Sequence, residues 1–529
     1  MESLLTGLTR QELVAEFLRS PHGDLASYRP VVERFAQTDP AFLAHAMVWG
    51  KRKGTIRDAV GGMPLATLTL KAYPPELREN SLALLAMLDP RSLLKVWEVG
   101  KPFPLARWGK TKFLRMIHGY LKARETCWPW WERTALHYRG YLKTLYRLSV
   151  TRPSDEANAI LFRRGEPPAG SIFATMQRFS LLDDAAVAGT IRRERIPVMV
   201  CEGVLGPRIQ EPPILAAVLD IMTPAQMIKR RRALKRWGVH GVGATRGALT
   251  AATARAADHG RKDTLLTATA AAQALVEDDP SLAVELEVLQ EAQLQASTGI
   301  EGNWLIGADK SPSMEKTIDK ARMLAGYLAK RVSGQVLLVF FDREPLVFDV
   351  TGKSYADIGR MTAQVQIGDG TCIGCVPAVA LERKFPADGI ALVSDGGERI
   401  RPLFHEVYAK YSRFLGKEPP VYLYKVQGLA YQTNAFGQVL RRNGEFLRAP
   451  EEDFLTSRCQ MTGIPYQVFP IADDVDQYGL GTLAETMRVQ RYDLYQEIME
   501  TPLLTLAQAF RAPRAFSRRD YALSTPENT

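Results

Sequence analysis

Hydrophobic residues follow two different rhythms along this chain, and the change comes near residue 300. Before it, apolar residues recur at i, i+3 and i+4, as in Leu13-Val14-Phe17-Leu18, Val31-Val32-Phe35 and Phe42-Leu43-Ala46-Met47. That spacing predicts amphipathic helices. The same pattern continues over 80–87, 93–99, 113–122, 132–149, 154–162, 172–179, 185–191, 213–219 and 224–237. Pro marks most joints, and Asp39-Pro40, Asp89-Pro90 and Thr223-Pro224 read as helix starts, where the side chain caps free N–H groups and Pro fits the first turn. Strand-like alternation is scarce. Many short helices with short joints predict stacked helix pairs that bury a continuous core. Ala248–Ala274 reads as a small-residue helical stretch, and the acidic, amphipathic Leu282–Leu294 leads to the change of rhythm.

Beyond residue 300 the apolar residues come in short unbroken runs. Asn303–Ala308 stops at Asp309, Gly389–Ser394 stops at Asp395, and Val421–Val426 forms another run. Such runs, ended by turns, predict buried parallel strands. The first is followed by a helix expected over Met314–Arg331. The fold class expected is therefore multidomain: an all-α, HEAT-like solenoid over 1–298, then a doubly wound α/β domain over 299–529. A segment near 430–463, within FGQVLRRNGEFLRAPEEDFLTSRCQMTGIPYQVFP, reads as an inserted hairpin.

The net charge of +10 is unevenly spread. Residues 101–250 hold 26 Lys and Arg against 11 Asp and Glu, whereas 301–529 hold 27 against 28. So concentrated an excess points to a phosphate-bearing partner and to binding that weakens with salt. The basic residues sit on helices. Lys110, Lys112 and Arg115 interleave with apolar residues, and so do Arg139, Lys143 and Arg147 among Tyr138, Tyr141 and Tyr146. Arg192 and Arg193 follow, and Lys229, Arg232 and Arg236 share one helix face. Cations of this kind bind phosphates, and neighbouring aromatic rings can stack on unpaired bases.

The strand ends carry a second chemistry. In open α/β sheets ligands bind beyond the carboxyl ends of the strands. Asp309, Ser311 and Ser313 in GADKSPSM, Thr371 in GDGTCIG and Asp395 in ALVSDGG would place carboxylate and hydroxyl oxygens around one point. Mg²⁺, or another hard divalent cation, takes about six such oxygens, several of them water. Asp369 is a candidate for outer support. The order DxSxS, Thr, Asp resembles the metal-ion-dependent adhesion site of von Willebrand factor A-type domains, in which the metal completes its shell with an acidic group from a partner.

With that site in place, the whole chain resembles the Ro RNA-binding proteins, a TROVE module of HEAT-like helices closed into a ring by a von Willebrand A-type domain. The resemblance rests on HYRGYLKTLYRLSVTRPSDEANAIL, RWGKTKFLRMIHGYL and the stretch from RRERIPVMV to ALKRWG, spanning about 40–500. The family's usual His-x-Lys-Pro turn is replaced by Val150-Thr151-Arg152-Pro153. The resemblance implies a non-catalytic ribonucleoprotein component in RNA quality control or processing. It would bind small structured non-coding RNA, Y-RNA-like, on an outer basic surface and single-stranded 3′ ends of misfolded RNA through the ring. An exoribonuclease would be a partner.

No catalytic constellation competes. Thr351-Gly352-Lys353-Ser354 lacks the P-loop's first glycine, since Val347 stands there, and Pro104 breaks the same pattern before Gly109-Lys110-Thr111. HExxH and GxSxG are absent. A two-metal nuclease on Asp309, Asp369 and Asp395 would need bridging carboxylates rather than hydroxyls. Five scattered cysteines argue against a disulfide framework, and Cys372-x-x-Cys375 lacks a second ligand pair. Neither a membrane-spanning run nor a signal pattern is evident, so a cytoplasmic location without a membrane partner is expected. The competing function class is a von Willebrand A-type adaptor or co-chaperone for an ATPase, without RNA.

Overall fold

The computed structural model describes residues 10–19, 25–53, 73–100, 107–222, 226, 230–237, 291, 299–432, 438–442, 445–471, 485–489 and 494–511. These divide into two compact units. One comprises Met1–Thr6, Asp24–Leu289 and Gln496–Thr529; the other comprises Gly7–Gly23 and Gln290–Tyr495.

The described part of the first unit is all-α, as the periodicity predicts. Helices near one another in sequence pack together: Leu25–Thr38 on Pro40–Lys53, Pro75–Ala86 on Arg107–Glu125, Arg107–Glu125 on Trp128–Leu148, and Asp184–Glu194 on Pro212–Ile221. Ser154, Ser171 and Asp183 each cap a helix by accepting an N–H three residues on, as such residues do. The C-terminal segment joins this unit by specific bonds. Buried Asn80 accepts the Leu504 N–H at 2.8 Å, Glu79 accepts the Leu506 N–H at 3.1 Å, and the Trp49 indole donates to Glu497 at 2.9 Å. Ala248–Ala274, and all of Leu282–Leu294 but residue 291, lie outside the described residues.

The second unit is a doubly wound α/β sheet. Its strands are β1 (Trp304–Asp309), β2 (Val336–Phe341), β3 (Leu346–Asp349), β4 (Gly389–Ser394) and β5 (Val421–Lys425). Then come the short β6 (Leu429–Tyr431), β7 (Arg441–Arg442), β8 (Glu445–Phe446) and β9 (Arg448–Pro450), and finally β10 (Tyr466–Pro470). The main sheet runs β10-β5-β4-β1-β2-β3, parallel except for the β3 edge. Leu305, Val339, Leu392 and Leu423 on one face pack with Val376, Phe404 and Tyr408 from covering helices. The helix Ile318–Arg331 packs on β1, β2 and β4.

Two expectations need correction. The helix after β1 starts at Ile318, not Met314, because Pro312–Met314 forms a 3₁₀ turn that keeps Ser311 and Ser313 outside the helix. The insertion is also shorter than 430–463. Hairpin pairing of β6 with β9 and of β7 with β8 ends by Pro450. Phe454–Thr462 is a helix, capped by Asp453, that leads into β10. Its apolar face, Leu455 and Cys459, is buried in the sheet's core, so it belongs to the main fold.

Candidate functional site

The order of strands turns at β1, which has β4 on one side and β2 on the other. That is the topological switch point where loops diverge and leave a crevice. β1 and β4 run parallel with Ala308 beside Val393, so the next residues, Asp309 and Ser394, emerge side by side. The Ser394 hydroxyl donates to Asp309 Oδ2 at 2.6 Å. Asp309 Oδ1 accepts the Ser311 N–H at 2.8 Å and so turns the chain sharply after the strand. Ser311 Oγ lies 3.1 Å from Ser313 Oγ, and Ser313 Oγ donates to Asp395 Oδ2 at 2.5 Å. Four of the five expected residues are thus linked in one hydrogen-bonded chain.

Thr371 enters from a third loop. Its carbonyl accepts the N–H groups of Arg399 and Ile400, at 3.1 and 3.0 Å, from the segment just after Asp395. On its other side, the Gly368 N–H donates to the Lys310 carbonyl and the Cys372 N–H to the Asp342 carbonyl. The three loops are therefore bonded to one another. Asp369 points away: it is exposed and pairs with Arg343 at 3.4 Å.

Asp309 is fully buried and Asp395 nearly so. Among the described residues no Lys, Arg or His pairs with either. Burial, and then the nearby Asp395 charge, pushes the Asp309 carboxyl up to about 7. Burial likewise raises Asp395, against the hydrogen bonds from Ser313 and the Gly397 N–H. Two uncompensated carboxylates among hydroxyls suit a hard divalent cation, which would supply the missing positive charge. Asp309, Ser311, Ser313, Thr371 and Asp395 are the residues that would hold it. Among the described residues no cluster of three or more His, Cys, Asp or Glu could hold a metal. A cation here would therefore rest on hydroxyls and water besides two carboxylates.

The hairpin of β6 and β9 walls one side. A side chain at Gly428 would come within 1.7 Å of Asp395 Oδ2, so the backbone itself lies against that carboxylate. Arg448 pairs with Glu315 at 2.5 Å, two residues past Ser313, and lies over the Tyr431 ring at 4.5 Å.

The basic candidates of the helical unit divide. On the helix Trp128–Leu148, Trp131, Ala135, Leu142 and Leu145 are fully buried. Arg139, Lys143 and Arg147 recur every four residues, and residues so spaced share a helix face. Lys143 Nζ and Arg147 Cζ both lie 5.8 Å from the centre of the Phe162 ring. Arg163, just after the helix Asp155–Phe162, adds its charge to the group. None of these four has a carboxylate partner among the described residues. Partial burial, followed by Arg139, Arg147 and Arg163, lowers the Lys143 ammonium below its ordinary value.

By contrast, Arg192 is paired with Asp220 at 2.7 Å and Arg193 with Glu194 at 2.8 Å. Arg115 and Arg236 are exposed, and Lys112 is half-buried. Lys110 and Arg232 are placed only as helix positions, and Lys229 lies outside the described residues. Sequence reading missed Arg163 and Asp342. Asp342 had a signal, since Val336–Phe341 is an apolar run that stops at an Asp as β1 does; Arg163 had none beyond its charge.

These features define a class of architecture: an all-α unit joined to a doubly wound α/β unit with an oxygen-lined crevice at its switch point. Among solved structures, the Ro protein (RSR) of Deinococcus radiodurans has this fold. It matches with a TM-score of 0.61 at 14% identity, over 91% of this chain and 99% of that one. At that identity the likeness establishes the fold, the one the sequence resemblance implied. An aerotolerance-related membrane protein from Bacteroides fragilis and BatB from Bacteroides thetaiotaomicron each overlap 37% of this chain at 14% identity and a TM-score of 0.28, too slight to argue from. No protein-family profile and no curated protein matches the sequence. Among the described residues no helix is long and apolar enough to cross a membrane.

Proposed function

We propose that this protein is a non-catalytic, Ro-type RNA-binding protein whose helical unit grips RNA and whose α/β unit carries a Mg²⁺ site. The observation that carries the reading is a group of four mutually close cations without carboxylate partners among the described residues: Lys143 and Arg147 over the Phe162 ring, with Arg139 and Arg163 beside Lys143. Like charges held this close repel one another, and a polyanion relieves that repulsion. Phosphates of a structured RNA fit the stripe, because contacts at helix spacing follow a backbone rather than a single anion. The shared fold with the Deinococcus Ro protein supports the same reading. Small Y-RNA-like RNAs and the 3′ ends of misfolded RNAs are the ligands we propose, in RNA quality control or processing in the cytoplasm, with an exoribonuclease as partner.

In the α/β unit Asp309, Ser311, Ser313, Thr371 and Asp395 would hold the cation. Bound there, it offers a Lewis-acidic position for an anionic group of a partner. The residues themselves orient the site: Ser394 and the Ser311 N–H fix the Asp309 carboxylate, and Ser313 fixes Asp395.

The first test is the nucleic acid that travels with the purified protein. A high 260/280 absorbance ratio that falls in high salt is expected; a protein free of nucleic acid at low salt would favour the adaptor instead. A hairpin with a single-stranded 3′ tail should bind more tightly than its blunt form. Equal binding would retain the basic surface and remove the proposed preference for free ends.

A further inference from the structure

The Thr371 loop is bonded to a buried ion pair that the sequence pattern does not contain. Lys310 stands between Asp309 and Ser311, where the DxSxS pattern leaves the residue open. Its ammonium lies 2.5 Å from Asp342 Oδ2, and both side chains are under a tenth exposed. Lys310 is also fixed through its backbone, its N–H donating to the Phe341 carbonyl at 2.9 Å and its carbonyl accepting the Gly368 N–H at 2.9 Å.

Asp342, at the end of β2, gathers the third loop. Its Oδ2 accepts the Asp369 N–H at 3.2 Å, its Oδ1 accepts the Glu344 N–H at 2.8 Å, and its carbonyl accepts the Cys372 N–H at 2.8 Å. Residues on both sides of Thr371 are thus bonded to the pair. Gly368 completes the arrangement, since a Cβ there would lie 1.4 Å from Asp342 Oδ2 and 3.0 Å from Lys310 Nζ. Only a glycine lets this loop close over the ion pair.

A buried ion pair is weak evidence for stability, because desolvation offsets most of the attraction. This one has another consequence. It carries no net charge, so it holds the loop without cancelling the charge of Asp309 and Asp395. We propose that Lys310 and Asp342 are the positioning residues of the metal site: together they set the Thr371 hydroxyl against the Asp309 and Asp395 carboxylates. The proposal rests on the Mg²⁺ reading above.

A double-mutant cycle in Mg²⁺ affinity tests it, with calorimetry on the full chain and MgCl₂ as the probe. Partners that orient a metal's ligands typically change affinity by about 10–100-fold when removed. Asp342→Asn should weaken Mg²⁺ by about tenfold or more, and Thr371→Val by a similar factor. The two together should be no worse than the weaker single variant by more than about twofold, because groups acting through one another are not additive. Should Asp342→Asn fail to fold, Lys310→Met with Asp342→Leu removes both charges and keeps an apolar contact. That pair should retain the melting temperature and still lose affinity. Additive losses in the cycle, or full affinity in either Asp342 variant, would overturn the positioning role. Wild-type protein that takes up no Mg²⁺ would overturn the metal reading, and this proposal with it.

Discussion

The two units handle charge in opposite ways. In the helical unit Arg139, Lys143, Arg147 and Arg163 lie at or near the surface, and their mutual repulsion is not relieved by a carboxylate among the described residues. In the α/β unit two carboxylates are buried at strand ends, and their repulsion is confined among hydroxyls. A surface stripe suits a long, flexible polyanion, since many modest contacts add up and each is screened by salt. A buried pair suits one small cation, since little water competes and geometry decides. Substitutions should therefore act in graded steps in the first unit and as a switch in the second.

The largest expected effect belongs to the buried pair. Asp309→Ala removes a carboxylate to which Ser394 and the Ser311 N–H are bonded. Mg²⁺ binding by calorimetry should disappear while the circular dichroism spectrum stays that of the wild type, because the site lies on loops beyond a packed sheet. Retained affinity would show that the crevice does not hold the ion through Asp309.

The effect of pH comes next. Asp309 is raised in the folded state from 3.8 to about 7, and Asp395 moves in the same direction. A raised carboxyl stabilises the fold while protonated. That contribution is complete below about pH 4 and fades as pH rises through about 7. Metal-free protein should therefore melt at lower temperature at pH 8 than at pH 5.5, by a margin that saturating Mg²⁺ closes. Asp309→Asn should flatten the dependence. A melting temperature that rises with pH in metal-free protein would contradict the assigned environment.

The smallest effect is expected at the hairpin. The Arg448–Glu315 pair is partly exposed, and such pairs contribute about 0–1 kcal/mol. Arg448→Ala should leave the melting temperature almost unchanged. A large drop would mean that the hairpin, rather than the strand ends, holds the site together.

How much of this was legible from sequence also differs between the units. Asp309, Ser311, Ser313 and Asp395 could be read because each lies where an unbroken apolar run stops or directly after it, and parallel strands put their ends on one edge. Lys310, Asp342 and Gly368 could not be connected, because their pairing links loops about thirty to sixty residues apart by contacts that leave no local period. The helix Phe454–Thr462 was hidden for a related reason: only two of its side chains, Leu455 and Cys459, are buried in the core, too few to show a rhythm. In the helical unit the periodicity revealed the helices but not which cations matter. Arg192 and Arg147 look alike in sequence, yet one faces Asp220 and the other faces Phe162 beside more positive charge.

The central claim, that phosphates are gripped by the cations of the helix Trp128–Leu148 together with Arg163, is tested most directly by the salt dependence of RNA binding. The affinity of a 3′-tailed hairpin would be measured over a range of KCl for the wild type and for the triple variant Lys143→Ala, Arg147→Ala, Arg163→Ala. Each phosphate contact contributes about 0.7 (single strand) to 0.9 (duplex) to the slope of log affinity against log salt. The account predicts a slope smaller by about 2 to 3 and weaker binding at every moderate salt concentration. A folded triple variant with the wild-type slope and affinity would contradict it.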